Sequence, residues 1–302
     1  MQGEMSSADF EGAESFRSLI PTLVQNYAAC DIFNADESGL FYKALPTSTL
    51  TQRGRNVHGF KSSKDRLTLL FICNATGDYK KIIVIGKTKK PRCFKNKSVP
   101  LEYYSNRKAW MTQDIWTQIL FSLDEEMIKQ QRKIILFVDN AACHKKLDNL
   151  KNINLQFLPP NATSIIQPLD QGIIHCFKAY YRQNIIRKQI AAFEAGKTIE
   201  EFSKSLTFLQ AMHISKYCLW LITPSTVRNC FRKAGFFEEI EEESEDDVTI
   251  TDNLVDNHEF QTYLACDDNI SCWGELTDAE ILENLNEDKN LETVENDEDE
   301  II

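Results

Sequence analysis

Lys133-Ile134-Ile135-Leu136-Phe137-Val138-Asp139 is the stretch on which the reading of the whole chain turns. Its unbroken apolar run, closed by a charged residue at each end, has the length of a strand rather than a helix. A strand without polar alternation is buried on both faces, as at the centre of a sheet covered by helices. A membrane span needs about 20 apolar residues in succession, and no run in the chain approaches that.

Working outward, Ile153-Asn154-Leu155-Gln156-Phe157-Leu158 alternates like a second strand and stops at Pro159-Pro160. Upstream, Asp31-Ile32-Phe33-Asn34-Ala35-Asp36 reads as a short strand ending at Ser38-Gly39. The runs 67–73 and 81–85 flank Asn74-Ala75-Thr76-Gly77-Asp78 as a hairpin. A helix is predicted from Thr112 as N-cap, with Asp114 in its first turn and Ile115, Trp116, Ile119, Leu120, Leu123 and Met127 on the buried stripe. Helical periodicity returns from Leu169 to about Ile190 and over 199–222. Near the start, Phe16, Leu19, Ile20, Leu23 and Val24 predict one helix. The fold class is therefore α/β, a mixed sheet flanked by helices.

Charge divides the chain. Of 302 residues, 42% are hydrophobic and 26% charged, and the net charge is −11. Residues 238–302 hold 25 acidic residues and only Lys289 as a base, hence −24, whereas residues 1–237 hold 33 basic and 20 acidic residues, hence +13. A basic body suits a phosphate-bearing partner, and an acidic, apolar-poor tail is expected to be disordered and solvated. Three segments follow: a helical lead-in over 1–30, a catalytic-sized domain over 31–237, and the acidic tail over 238–302. Within the body, Lys87, Lys89, Lys90, Arg92, Lys95 and Lys97 surround Pro91 in a loop suited to tracking a nucleic-acid backbone, or simply to solvation. The nine cysteines are odd in number and contain no Cys-x-x-Cys pair, which reads as reduced thiols. Cys143-His144 and His175-Cys176 match zinc spacing poorly.

Three aspartates stand out. Asp36 and Asp139 are each expected to end a strand, where open α/β sheets place their ligands. At about 100° per residue, Asp170 falls in the middle of the stripe formed by Ile173, Ile174, Phe177 and Tyr181. A buried carboxylate must be paired, protonated or metal-bound. Converging carboxylates that hold two divalent cations satisfy that requirement.

An ordered series of blocks then carries a family resemblance. These are Asn34-Ala35-Asp36-Glu37-Ser38-Gly39-Leu40-Phe41-Tyr42-Lys43, Val138-Asp139-Asn140-Ala141-Ala142-Cys143-His144, Leu158-Pro159-Pro160-Asn161-Ala162-Thr163-Ser164 and Gln167-Pro168-Leu169-Asp170-Gln171-Gly172, with shorter matches between them. Together they resemble the DDE-superfamily endonuclease domain of Tigger/pogo transposable-element-derived proteins, including the jerky-like and centromere-protein-B-like members, from about residue 10 to 237.

The resemblance implies a ribonuclease-H-like fold with Asp36, Asp139 and Asp170 as catalytic and metal-binding residues, two Mg²⁺ or Mn²⁺ ions, DNA as partner and a nuclear location. It also implies paired helix-turn-helix domains ahead of the catalytic region, which are expected to be missing from this chain. Ser38 stands where the family usually has Thr. Glu37 is expected to face away from Asp36 and is left outside the site. Asn140 and His144 stay open between contacting DNA, orienting Asp139, and serving as a cap and a helix-face residue. For the acidic tail, other nuclear proteins are a candidate partner, and Leu276–Leu285 reads either as a short amphipathic helix for a partner groove or as solvated tail.

Overall fold

The computed structural model describes residues 9–46, 65–238, 258–268 and 270–274. Strands β1 (Ile32–Phe41), β2 (Arg66–Asn74) and β3 (Lys80–Gly86) form an antiparallel meander, and β4 (Glu102–Ser105) adds parallel to β3. On the other side of β1, β5 (Ile134–Val138) and β6 (Ile153–Phe157) continue the sheet in parallel. The spatial order is β4-β3-β2-β1-β5-β6, a mixed six-stranded sheet of ribonuclease-H-like arrangement. All five residues of β5 are buried, as its apolar run requires. β4 has no counterpart in the sequence reading, because its four residues are all half-buried and polar or aromatic.

Both faces of the sheet are covered. Alternation along β1 sends Phe33 and Ala35 to one side, against helix α2 (Gln113–Lys129) with Trp116, Ile119 and Leu123. Burying a large apolar side chain contributes about 1.5–3 kcal/mol, so the α2 stripe alone holds the helix in place. Thr112 caps α2 by accepting from the Ile115 amide at 3.4 Å. Ile32 and Leu40 face the opposite side, against helix α3 (Ile174–Glu194) through Phe177, Tyr181 and Ile185. Helix α1 (Phe10–Val24) joins this second layer through Ile20, while Leu19 remains exposed.

The predicted helix over 199–222 is two helices, α4 (Ile199–Ser205) and α5 (Phe208–Leu221). Each begins with its own capping box, Thr198 with Glu201 and Thr207 with Gln210. Helix α6 (Pro224–Lys233) follows from the Thr223 cap, with Pro at its start.

Three further expectations are corrected. β1 does not end at Asp36 but continues through Gly39 to Phe41. The Ser38-Gly39 pair is not a turn signal: a Cβ on Gly39 would lie 2.4 Å from Ile270 Cγ2, so the glycine makes room for a returning segment. Second, Asp170 does not sit in a buried helical stripe. Leu169–Ile173 is a π-helical turn with Gly172 at φ 150°, and this wider turn breaks the 100° periodicity and leaves Asp170 exposed.

Third, the acidic segment is not uniformly a solvated tail. Helix α7 (His258–Leu264) packs Phe260, Tyr263 and Leu264 with Ala44 and Ala179, and the Tyr263 hydroxyl donates to the Ala44 carbonyl at 2.6 Å. The Met111 amide donates to the Cys272 carbonyl at 2.8 Å, and Met111 bridges in parallel with Trp273. Apolar side chains at 260, 263 and 264 supply the burial that the net charge of the segment conceals. Leu276–Leu285 lies outside the described residues.

Candidate metal centre

β1 lies between β2 and β5, and its alternation divides two adjacent acids. Asp36 belongs to the face shared with α3 and Glu37 to the face shared with α2. Asp139 follows the last residue of β5, whose partner β1 runs parallel to it. Asp170 arrives on the π-helical turn, and a fully buried residue fixes that turn to the sheet. Asn34 donates from Nδ2 to the Phe137 carbonyl at 2.9 Å and accepts from the Leu169 amide on Oδ1 at 3.0 Å. One side chain thus ties β1, β5 and the turn carrying Asp170.

The neighbouring acids act on Asp36 electrostatically. Asp36 is half-buried, and burial raises its pKa well above the ordinary carboxylate value, reinforced by the negative charges of Asp170, Asp139 and Glu37. The Glu37 amide donates to Asp36 Oδ1 at 2.8 Å and opposes the rise without cancelling it. All the neighbouring charges that act most strongly on Asp36 are negative. A carboxylate set of this kind fits a hard divalent cation, which takes oxygen ligands and supplies the missing positive charge.

On the other face of β1, Glu37, Asp139 and His144 place one ligand atom each within 4.8 Å of one another. His144 Nε2 lies 3.0 Å from Glu37 Oε1, and Nδ1 lies 2.6 Å from Asp139 Oδ1. Ionised carboxylates only accept hydrogen bonds, so a carboxylate oxygen at each ring nitrogen favours the doubly protonated imidazole. Burial pushes its pKa down, but the Glu37 charge and the hydrogen bonds to Asp139, Cys143 and Glu37 outweigh burial and hold it far above the ordinary histidine value. The Trp116 ring lies over the imidazole at 4.2 Å between centroids.

This group is a closed hydrogen-bonded chain more than an open ligand set. His144 thus lies within hydrogen-bond reach of both acids, an arrangement compatible with the orienting role that its sequence position left open. Glu37, set aside because it faces away from Asp36, does face away, and from there it reaches Asp139 through the histidine. Cys143-His144 and His175-Cys176 do not assemble with each other into a three-ligand group among the described residues.

A groove of about 360 Å³ is lined by Glu37, Ser38, Asp170, His175 and Lys178, with Asp36 and Asp139 outside its lining. The returning segment forms its far wall with Asp267, Asp268, Ile270 and Cys272. Lys178 Nζ lies 3.7 Å from Asp268 Oδ1. The six basic residues Lys87, Lys89, Lys90, Arg92, Lys95 and Lys97 are all exposed in the connection between β3 and β4. β3 is parallel to β1 in the register, so this loop leaves the sheet at the same end as Asp139. Asn34 has no local signal in the sequence, because its partners Phe137 and Leu169 lie 103 and 135 residues away, and the contact between Glu37 and His144 spans 107 residues.

The sheet order and the helices on both faces define a mixed α/β domain. The profile of the DDE superfamily endonuclease family matches residues 64–231, and the chain belongs to that family. It is 37% identical over 223 residues to Tigger transposable element-derived protein 4 of Mus musculus, covering 73% of this chain and 42% of that protein. It is 31% identical over 259 residues to CENP-B homolog protein 2 of Schizosaccharomyces pombe, covering 79% and 48%, and 31% identical over 219 residues to human major centromere autoantigen B, covering 72% and 35%. The chain thus spans less than half the length of these relatives. Among solved structures, the Mos1 strand transfer complex matches with a TM-score of 0.38 at 15% identity, covering 78% of this chain and 63% of that one. No helix among the described residues is long and apolar enough to cross a membrane.

Proposed function

We propose that this domain binds DNA in the nucleus and cleaves its phosphodiester bonds with two divalent cations, Mg²⁺ or Mn²⁺, held by Asp36, Asp139 and Asp170. The observation that carries this reading is geometric: Asp36 on β1 and Asp139 just past the parallel strand β5 lie on neighbouring segments, and Asn34 ties the turn bearing Asp170 to both. When bound, the cations supply charge stabilisation at the phosphate and a water nucleophile at neutral pH. The chain's own part is positional. β1 and β5 hold Asp36 and Asp139 on adjacent parallel strands, and Asn34 docks the turn that brings Asp170. The exposed lysines and arginine of 87–97 neutralise backbone phosphates on the same side of the sheet.

Two names among the relatives support DNA processing and chromosome association, a transposable-element-derived protein and a centromere autoantigen. The test is nicking of supercoiled plasmid in Mn²⁺. Cleavage by the intact protein and its loss in Asp139→Ala support the reading. Equal activity of the two proteins defeats it.

A second reading is favoured by one observation: the acidic wall of Asp267 and Asp268 borders the same groove as Asp170 and occupies Lys178. In that reading the fold binds DNA, and other nuclear proteins through its acidic segment, without cutting. Salt-sensitive DNA binding that survives Asp36→Ala and Asp170→Ala, with no nicking by the intact protein, distinguishes it.

A further inference from the structure

We infer that Glu37 and His144 are positioning residues that fix the Asp139 carboxylate from the opposite face of the sheet, so that Asp139 presents Oδ2 to the cations. The inference rests on the metal-centre reading above and adds to it two residues outside the aspartate triad.

The geometry is directional. Asp139 lies just past the end of β5, where no strand hydrogen bond constrains its side chain. Glu37, by contrast, is in the middle of β1, paired with Leu70 on β2. His144 spans the two: Nε2 to Glu37 at 3.0 Å and Nδ1 to Asp139 Oδ1 at 2.6 Å. The side chains of His144 and Glu37 are 1% and 2% exposed, against 23% for Asp139. Rigidity is thus greatest at the buried end of the chain and is passed to the half-exposed carboxylate. Trp116 covers the ring face and fixes its tilt. The Ala141 amide donates to the same Oδ1 at 3.3 Å. Both bonds fall on one oxygen, and Oδ2 takes none from the described residues.

Partners behind a metal ligand typically change metal affinity by about 10–100-fold when removed. The test is Mn²⁺ affinity of the full chain, read from the electron paramagnetic resonance of free Mn²⁺, in His144→Asn and His144→Gln. The shorter amide places its nitrogen near the position of Nδ1 and keeps the bond to Asp139. The longer one reaches towards Glu37 and loses Asp139. Both disturb the pocket under Trp116 to a similar degree, so a merely structural role moves them together.

The expected result is a drop of about 10–100-fold for His144→Gln, which loses Asp139, and a smaller drop for His144→Asn, which keeps the Asp139 bond but loses the Glu37 anchor. Equal affinities in the two variants overturn the inference while Asp139→Ala still abolishes binding, and the metal-centre reading then stands. Imidazole nitrogen coupling in the bound Mn²⁺ spectrum also overturns it, since His144 is then a ligand itself. Absence of Mn²⁺ binding and of nicking in the unaltered protein removes both readings together.

Discussion

Arg182 of α3 and Asp267 of the returning segment form an ion pair 85 residues apart in sequence, with neither side chain exposed to solvent. The pair is closed by backbone partners: Arg182 Nη1 donates to the Phe41 carbonyl at 3.0 Å and the Phe41 amide donates to Asp267 Oδ1 at 2.8 Å. The Tyr263 ring also receives the guanidinium at 4.8 Å. Two charges are thus removed from water at the end of β1, and each depends on the other for compensation.

Removing one partner leaves the other buried and unpaired, which costs about 3–5 kcal/mol. Asp267→Ala is expected to lower the unfolding free energy by that amount, read as the shift in urea midpoint multiplied by the m value. The double replacement Arg182→Met with Asp267→Leu is expected to recover the part due to the unpaired charge, but not the part due to the lost Phe41 amide and carbonyl partners, about 1–3 kcal/mol each. Equilibrium unfolding of the three proteins checks both statements.

Asn34→Leu is expected to break the tie between β5 and the turn carrying Asp170. It leaves the Phe137 carbonyl and the Leu169 amide without their partner, each costing about 1–3 kcal/mol when buried. Loss of stability together with weakened Mn²⁺ binding is the expected pair of outcomes. Measuring both separates a packing defect from displacement of Asp170.

Gly39→Ala places a methyl group against Ile270, where a Cβ meets Ile270 Cβ at 2.6 Å. Overpacking of this kind costs about 1–3 kcal/mol, and the strain is relieved by release of residues 270–274. Faster hydrogen exchange at the Met111 amide, which donates to Cys272, is the direct readout.

Replacing Lys87, Lys95 and Lys97 by Gln is expected to weaken DNA binding without regard to sequence. Each lost phosphate contact reduces the slope of log affinity against log salt by about 0.9 for duplex DNA. A slope unchanged in the triple variant removes the loop from the interface.

His175 supplies a pH dependence. Burial lowers its pKa from 6.5, opposed by Asp268 and reinforced by Lys178. The unfolded chain therefore binds the proton more readily than the folded one, and stability falls as the pH drops through the ordinary histidine range. Unfolding measured between pH 7 and 5 is expected to flatten in His175→Gln.

How far these features were legible in the sequence follows from the range of the forces involved. β5, the β2–β3 hairpin and the Thr112 cap rest on local patterning and were readable from it. Asp139 was placed correctly after β5 because a charged residue ends an apolar run. Ser38-Gly39 has turn chemistry and so predicts a strand end at Asp36, whereas the close approach of Ile270 accounts for a glycine inside β1. Asp170 lost its predicted burial to a π-helical turn, which no 3.6-residue period can reveal. Glu37 and His144 are 107 residues apart, and neither has a local pattern that announces the other.

The contacts that hold residues 258–268 and 270–274 against the sheet are all noncovalent: a buried ion pair, an apolar helix face and a backbone bridge. Their attachment does not depend on peptide continuity through 239–257. A single proteolytic nick in that interval is therefore expected to yield two polypeptides that travel together on native gel filtration and come apart in urea. The acidic segment would behave as a fragment complementing the domain, so its dissociation constant from the body can be measured directly.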